Sequence, residues 1–325
     1  MIDLPPPRVV WTITATLGVL ALGSLIRLSA LRTTPSQLAS ARLASLKTWW
    51  VLALLLTAGI CLGRAGVTLL LVVASVLAVR EFIRITGLDR TDRSGTLIVY
   101  SALALHYALI GREGALAVMP VVVLVIIGAW QAARGRTAGY VRSTASLFWA
   151  WAIFAYAPAH ALLWYTLPVD ALGSAGPGGV LLCLLMLTSM NDIAQALIGR
   201  RIGRHWITPT VSPHKTWEGF AGGVVVTALL GAGLAPVLTP LARGAASETG
   251  AMEVFGPLAQ GAALGALLAI AGFFGDINIS AVKRDVGVKD GSTLLPGQGG
   301  MIDRIDSLTF TAPVFYYAVS WLCGL

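Results

Sequence analysis

The residues best suited to chemistry are concentrated between Gly272 and Leu308, where Asp276, Lys283, Arg284, Lys289, Asp290, Asp303, Arg304 and Asp306 fall close together. Asp303 and Asp306 are three residues apart, which puts both carboxylates on one face of a helix. With Asp276 they make an all-oxygen set suited to a hard cation such as Mg²⁺, which keeps waters and bridges substrate phosphates. The neighbouring cations Lys283, Arg284, Lys289 and Arg304 are suited to holding those phosphates, so the mixture fits a nucleoside triphosphate and a metal. The competing reading is a salt-bridge network at a membrane surface. Leu295-Pro296-Gly297-Gln298-Gly299-Gly300 weighs against it. This backbone has unhindered N–H groups that can approach an anion, and the helix expected after it presents its positive dipole end.

A second dense segment runs from Asn191 to Gly223. Asp192 ends an apolar run and Glu218 begins one, as Asp276 ends another. Ionisable groups at such depth cost a few kcal/mol unless paired and point to a functional site. The alternative is a helix-end side chain reaching to the headgroups. His106, His160, His205 and His214 have no second histidine at ligand spacing, so core or surface roles are expected for them.

The elements that must position these groups are membrane helices. Of 325 residues only 12% are charged and 56% are hydrophobic, with a mean hydropathy of +0.79. Soluble domains carry about 25% charged residues, so lipid must be the solvent here. The expected fold is all-α and polytopic, with about ten spans near 9–25, 49–63, 65–79, 96–110, 115–130, 145–166, 178–198, 219–238, 257–279 and 307–324. Several of these runs are shorter than the ~20 residues a perpendicular helix needs, so they must borrow flanking residues or pair as tight hairpins. The first run lacks a small-residue cleavage site after it and reads as a retained helix. Residues 1–176 are expected to form a scaffold and residues 177–325 the catalytic region.

With ten spans, nineteen of the 23 Lys and Arg fall on one set of alternate connections, while Arg8, Arg64, Arg112 and Arg243 fall on the other. The rich side is cytoplasmic, both termini face out, and every dense polar loop lies inside. This placement accounts for the net charge of +8 without nucleic acid, for which no basic stripe interleaved with aromatics exists. Cys61, Cys183 and Cys323 lack CxxC spacing and read as small buried hydrophobes. Trp49, Trp50, Trp151 and Trp164 are expected as interface anchors.

The C-terminal pattern resembles the CDP-diacylglycerol synthase (phosphatidate cytidylyltransferase) family. The matching residues are Ser280, Lys283-Arg284, Lys289-Asp290, Pro296-Gly297-Gln298-Gly299-Gly300 and Asp303-Arg304-Ile305-Asp306, all at the family's spacing. Upstream, the family's Ser-Pro-x-Lys-Thr-x-Glu-Gly stands as Ser212, Pro213, Lys215, Thr216, Glu218 and Gly219. Asp192, Gly199-Arg200 and Gly275-Asp276 match further elements. The resemblance covers about residues 185–310. Three departures mark a divergent subfamily: Gln298 replaces the family's His, Ile279 stands where many members carry an acid, and Ile193-Ala194-Gln195-Ala196 replaces a small-residue and Tyr pattern.

The resemblance implies transfer of a cytidylyl group from CTP to phosphatidate, giving CDP-diacylglycerol and pyrophosphate in phospholipid biosynthesis. It implies an active site facing the cytoplasm in a multi-pass protein of the inner (plasma) membrane, and a homodimer. Asp276, Lys283, Asp303 and Arg304 are expected to carry catalysis. Asp276, Asp303 and Asp306 are expected to bind Mg²⁺, and the family adds a second, monovalent cation (K⁺). Ser212, Lys215, Thr216, Glu218, Ser280, Arg284, Lys289, Asp290, Gly299 and Gly300 are expected to line the substrates, with the roles of Asp192 and Gln298 left open. Two other classes fit the composition. A CTP-dependent lipid-alcohol kinase would release CDP and not pyrophosphate. A transporter would use Asp192 and Asp276 as ion sites and show internal repeats, which this chain lacks; an inactive relative is a third alternative.

Overall fold

The computed structural model describes residues 5–31, 36–135, 137–242 and 252–325. Arg32, Arg136 and Arg243 of the charge count lie outside the described residues. The chain is helical almost throughout. In order, α1 is Pro7–Leu31, α2 Ser36–Cys61, α3 Gly63–Thr86, the short α4 Leu88–Thr91, α5 Arg93–Leu109 and α6 Ala115–Ala133. Then α7 (Tyr140–Trp151) passes through a π-helical turn, Ala152–Tyr156, into α8 (Ala157–Leu163). The last four helices are α9 Gly176–Ile202, α10 Trp217–Leu238, α11 Met252–Asp285 and α12 Ile302–Cys323.

Each of the ten expected apolar runs is helical. Eight spans among the described residues have the length and apolarity to cross a membrane. The other two expected runs are α5, at 17 residues, and α12, whose first turn carries Asp303 and Arg304. Short runs reach spanning length by borrowing flanks. Helix α2 begins thirteen residues before its apolar run, so Arg42 and Lys47 are helical and not in a connection. Helix α3 likewise runs past Val79 to Thr86 and takes Arg80, Glu81 and Arg84 with it. The two helices flanking Arg64 form a tight hairpin: a Cβ on Gly66 would meet the Gly59 carbonyl oxygen at 2.5 Å. Arg64 sits in the first turn of α3 and donates to the Ile110 carbonyl at 3.3 Å.

One departure from all-helical structure bears on the site. Between α9 and α10, β1 (Trp206–Thr208) and β2 (Ser212–Thr216) form a small antiparallel hairpin. Thr216 ends it by capping α10, its hydroxyl accepting the Gly219 amide at 3.2 Å.

The two halves pack differently. Helices α10 and α11 meet backbone to backbone, because a Cβ on Gly231 or Gly265 would strike the carbonyl of Gly261 or Thr227. Small residues allow such approach where lipid supplies no hydrophobic drive between helices. Beyond the α2–α3 hairpin, the N-terminal helices pack through rings, such as Phe82 on Trp149 at 5.1 Å and His106 on Trp151 at 5.6 Å. Trp151 and Trp164 are fully buried in this interior, so they are core residues and not interface anchors. The rings hold α3, α5, α7 and α12 together, and the face they turn inward outweighs the preference of tryptophan for the interface. All three cysteines are free, with Cys183 buried.

At one end of α6 and α7, Asp92 caps α5 through the Gly95 amide at 3.0 Å and pairs with Arg134 at 2.8 Å. Gln131 and Ser143 also reach it, so one buried carboxylate joins three helices.

Candidate active site

The end of α9, the start of α10, the end of α11 and the start of α12 come together, and with them the polar residues the sequence singles out. A cavity of about 560 Å³ is lined by Asp276, Lys283, Asp290, Gly297, Gln298, Gly299, Asp303, Arg304 and Asp306. That volume suits a small-molecule ligand. The lining is almost wholly charged or polar, which suits one rich in phosphate.

Two lysine–aspartate pairs organise the cavity. Lys215, from β2, reaches Asp276 at 2.8 Å and Gln195 Oε1 at 3.0 Å. Gln195 in turn donates to Asn191 Oδ1 at 2.9 Å, and both amides are buried within α9. The Lys215 ammonium also lies over the Phe273 ring, 5.6 Å from its centre. Lys283 reaches Asp303 Oδ1 at 2.7 Å, and the other Asp303 oxygen accepts the Gly300 amide at 2.9 Å and the Gly291 amide at 3.4 Å. Asp276 and Asp303 are thus each matched by a lysine.

The carboxylates group in a way the spacing does not show. Asp192, Asp276 and Asp306 lie within electrostatic reach of one another, with Arg304 near both Asp192 and Asp306. Asp192 also accepts from Ser307 at 3.0 Å, and Ser280 donates to Asp276 at 3.3 Å. Asp303 stands apart in its contacts, held by Lys283 and the glycine amides. Among the described residues no three carboxylate, histidine or cysteine side chains converge closely enough to enclose a cation by themselves. The donor chemistry still fits Mg²⁺, which takes one or two carboxylates and completes its shell with water and substrate phosphate.

Other expected site residues are turned elsewhere. Glu218 accepts the Arg204 amide at 3.0 Å and pairs with His205 at 2.5 Å, so it fastens the hairpin to α10. Thr216 caps that helix. Arg284 is exposed and holds the carbonyls of Val211 and Val288, each at 3.3 Å. Lys289 is an exposed turn residue, and Ser212 opens β2. Ile279 is buried in the core.

Pro296–Gly300 closes as a turn. Gln298 N donates to the Leu295 carbonyl and Leu295 N to the Gly299 carbonyl, both at 2.9 Å. Gly297 and Gly299 have φ near +71° and +83°, a region other residues rarely adopt. The Gln298 side chain links two sides of the site: its oxygen accepts from Arg304 at 2.7 Å, and its nitrogen donates to the Ser45 hydroxyl at 2.8 Å. Thr48 donates to the Pro296 carbonyl at 2.9 Å.

Sequence reasoning missed Glu81. This α3 residue is almost fully buried and accepts the amides of Met301 and Ile302, each at 2.9 Å, and the Ser292 hydroxyl. It fell just beyond the assigned end of an apolar run. One signal marks it: Glu81 is the first acidic residue after Asp3, at the end of a long apolar stretch.

The Cytidylyltransferase family model matches residues 44–322. The Escherichia coli (strain K12) protein YnbB, described as uncharacterized, is 35% identical over 283 residues, which are 86% of this chain and 87% of that protein. Phosphatidate cytidylyltransferases are similar over a shorter stretch. The Synechocystis sp. protein is 37% identical over 147 residues, 44% of each chain. The Mycobacterium bovis protein is 32% identical over 151 residues, 44% of this chain and 42% of that one. The chain thus spans less than half the length of these two named enzymes. The family match takes in α2 and α3 as well as the four C-terminal helices, which is where the structure finds the loop's supports. This chain belongs to the cytidylyltransferase family and is a polytopic membrane enzyme of CTP-dependent transfer.

Proposed function

We propose that this enzyme transfers the cytidylyl group of CTP to phosphatidate, releasing pyrophosphate and leaving CDP-diacylglycerol for phospholipid biosynthesis. The observation that carries the reading is the polar cavity at the helix ends, with Lys215, Lys283 and Arg304 set among Asp276, Asp303 and Asp306. An ionised phosphate oxygen of the lipid attacks the α-phosphorus of CTP. The new P–O bond forms as the α–β bridge breaks, and the electron pair leaves with pyrophosphate. No proton needs to be removed from the nucleophile, so catalysis is positioning and neutralisation of charge.

Lys283 and Arg304 stand where they can neutralise triphosphate or lipid phosphate, and Lys215 sets the orientation of Asp276. Mg²⁺ would be held by carboxylates drawn from Asp276, Asp303 and Asp306, with water and substrate phosphate completing its shell, and a monovalent cation would add further positive charge. Such a metal would neutralise phosphate charge. The helix ends that form the cavity are also those the charge distribution assigns to the cytoplasm, which supports CTP entry from that side of the inner membrane. Phosphatidate reaches such a site laterally, its acyl chains remaining in lipid.

The test is pyrophosphate release by purified protein in detergent with CTP, phosphatidate and Mg²⁺. Release should require all three and fall by about 100-fold or more in Asp303→Asn, the cost of removing one preorganised charged group. CDP in place of pyrophosphate would reassign the enzyme as a kinase. Full Mg²⁺-dependent activity in Asp303→Asn would remove the metal assignment.

A further inference from the structure

We infer that Glu81 is a positioning residue of the active site, and that Gly300 is glycine to admit the Glu81 carboxylate and not a substrate phosphate. Met301 N-caps α12 and has no hydrogen-bonding oxygen in its side chain, so the first amides of this helix need an acceptor from elsewhere. Glu81 supplies it from α3, taking the amides of Met301 and Ile302 and the hydroxyl of Ser292. A carboxylate is the acceptor best suited to three donors at a helix N-terminus. The glycines around it fit this role. A Cβ on Gly300 would collide with Glu81 Oε2, and one on Gly291 would meet the same atom at 3.2 Å.

The consequence is a division within the glycine turn. Gly297 and Gly299 face the cavity. The amide of Gly300 is taken by Asp303 and those of the next two residues by Glu81, so the protein's own carboxylates occupy the anion-binding end of α12. The triphosphate must then be held by side-chain cations. Glu81 fixes where α12 starts and hence where Asp303 and Arg304 stand, although it does not line the cavity.

The inference rests on the proposed transfer only for its kinetic readout. Glu81→Ala and Gly300→Ala should each lower kcat about tenfold to a hundredfold, with KM for CTP changed less than about twofold, because reacting groups are displaced and no phosphate contact is lost. The double variant should be no slower than Glu81→Ala alone, since the added methyl enters space the carboxylate has left. A rise in KM for CTP on Gly300→Ala, equal in both backgrounds, would overturn the inference, as would wild-type kcat in Glu81→Gln. Hydrogen exchange of residues 291–302 in the substrate-free protein is the second measurement, and it needs no turnover. Faster exchange there in Glu81→Gln, with α9 unchanged, supports the inference even if phosphatidate proves the wrong acceptor. Unchanged exchange overturns it.

Discussion

The helices on either side of Gly176 are built from similar apolar material but solve different problems. In the C-terminal part, glycine lets α10 and α11 touch along their backbones, and the polar ends of α9 to α12 are brought to one place with little slack. In the N-terminal part, α1 and α6 are largely exposed, with 17% and 22% of their apolar windows buried, while the span Tyr140–Thr166 is 67% buried and forms the core. Here the inward faces meet through large rings, and among the described residues Ser45, Thr48 and Glu81 reach the site. The polar cavity thus lies among the C-terminal helices, and the N-terminal part contributes supports for one loop.

If close backbone contact is what holds the C-terminal half, breaking it should have the largest effect of any change outside the cavity. Gly265→Leu places a side chain against the Thr227 carbonyl and forces α10 from α11. Overpacking costs about 1–3 kcal/mol even where neighbouring side chains can move, and a backbone cannot. Loss of folded, detergent-soluble protein is expected, read by thermal unfolding. Gly256→Leu in the same helix is the control, because a Cβ there meets nothing within 4 Å. Equal behaviour of the two variants would remove the distinction between the halves.

A smaller effect is expected within the cavity. Lys215→Met keeps length and apolar stem while deleting the charge between Asp276 and Gln195. Pyrophosphate release should fall by about 100-fold, with unfolding temperature little altered because the helix contacts remain. A large drop in unfolding temperature with unchanged turnover would make Lys215 a structural counter-ion and no part of the site.

The site was legible in the sequence to the extent that chemistry is local. Asp303 and Asp306 share the first turns of α12, Lys283 and Asp276 share α11, and all four line one cavity. Which carboxylate meets which lysine was not legible, since Lys215 comes from a hairpin whose first strand is only three residues long. The pattern of Trp206-Ile207-Thr208 is too short to separate strand from turn. Glu81 was missed because an apolar run marks where lipid ends, not where the helix does. Trp151 and Trp164 were misplaced for a related reason: position along a span says how deep a ring lies, but not which face of the helix carries it.

The joint between the two halves offers the finest test, because Gln298 binds Arg304 on one side and Ser45 on the other. Gln298 accepts from Arg304 and donates to Ser45 at once, and an amide does both at every ordinary pH. In Gln298→His a neutral imidazole can reproduce both bonds, one nitrogen accepting and the other donating. A free imidazole gains a proton near pH 6.5, and the adjacent guanidinium lowers that value further. Once protonated, the ring has no acceptor left for Arg304 and repels it. The variant should therefore match the parent above about pH 7 and lose activity a few-fold as pH falls below roughly 6.5, a limb the parent lacks at this position. The measurement is kcat against pH for both proteins, with Lys215→Met as a reference whose loss is independent of this titration. Superimposable profiles would mean that Arg304 does not depend on residue 298, and that the N-terminal half acts on the loop through Glu81 and Thr48 without reaching the cations of the cavity.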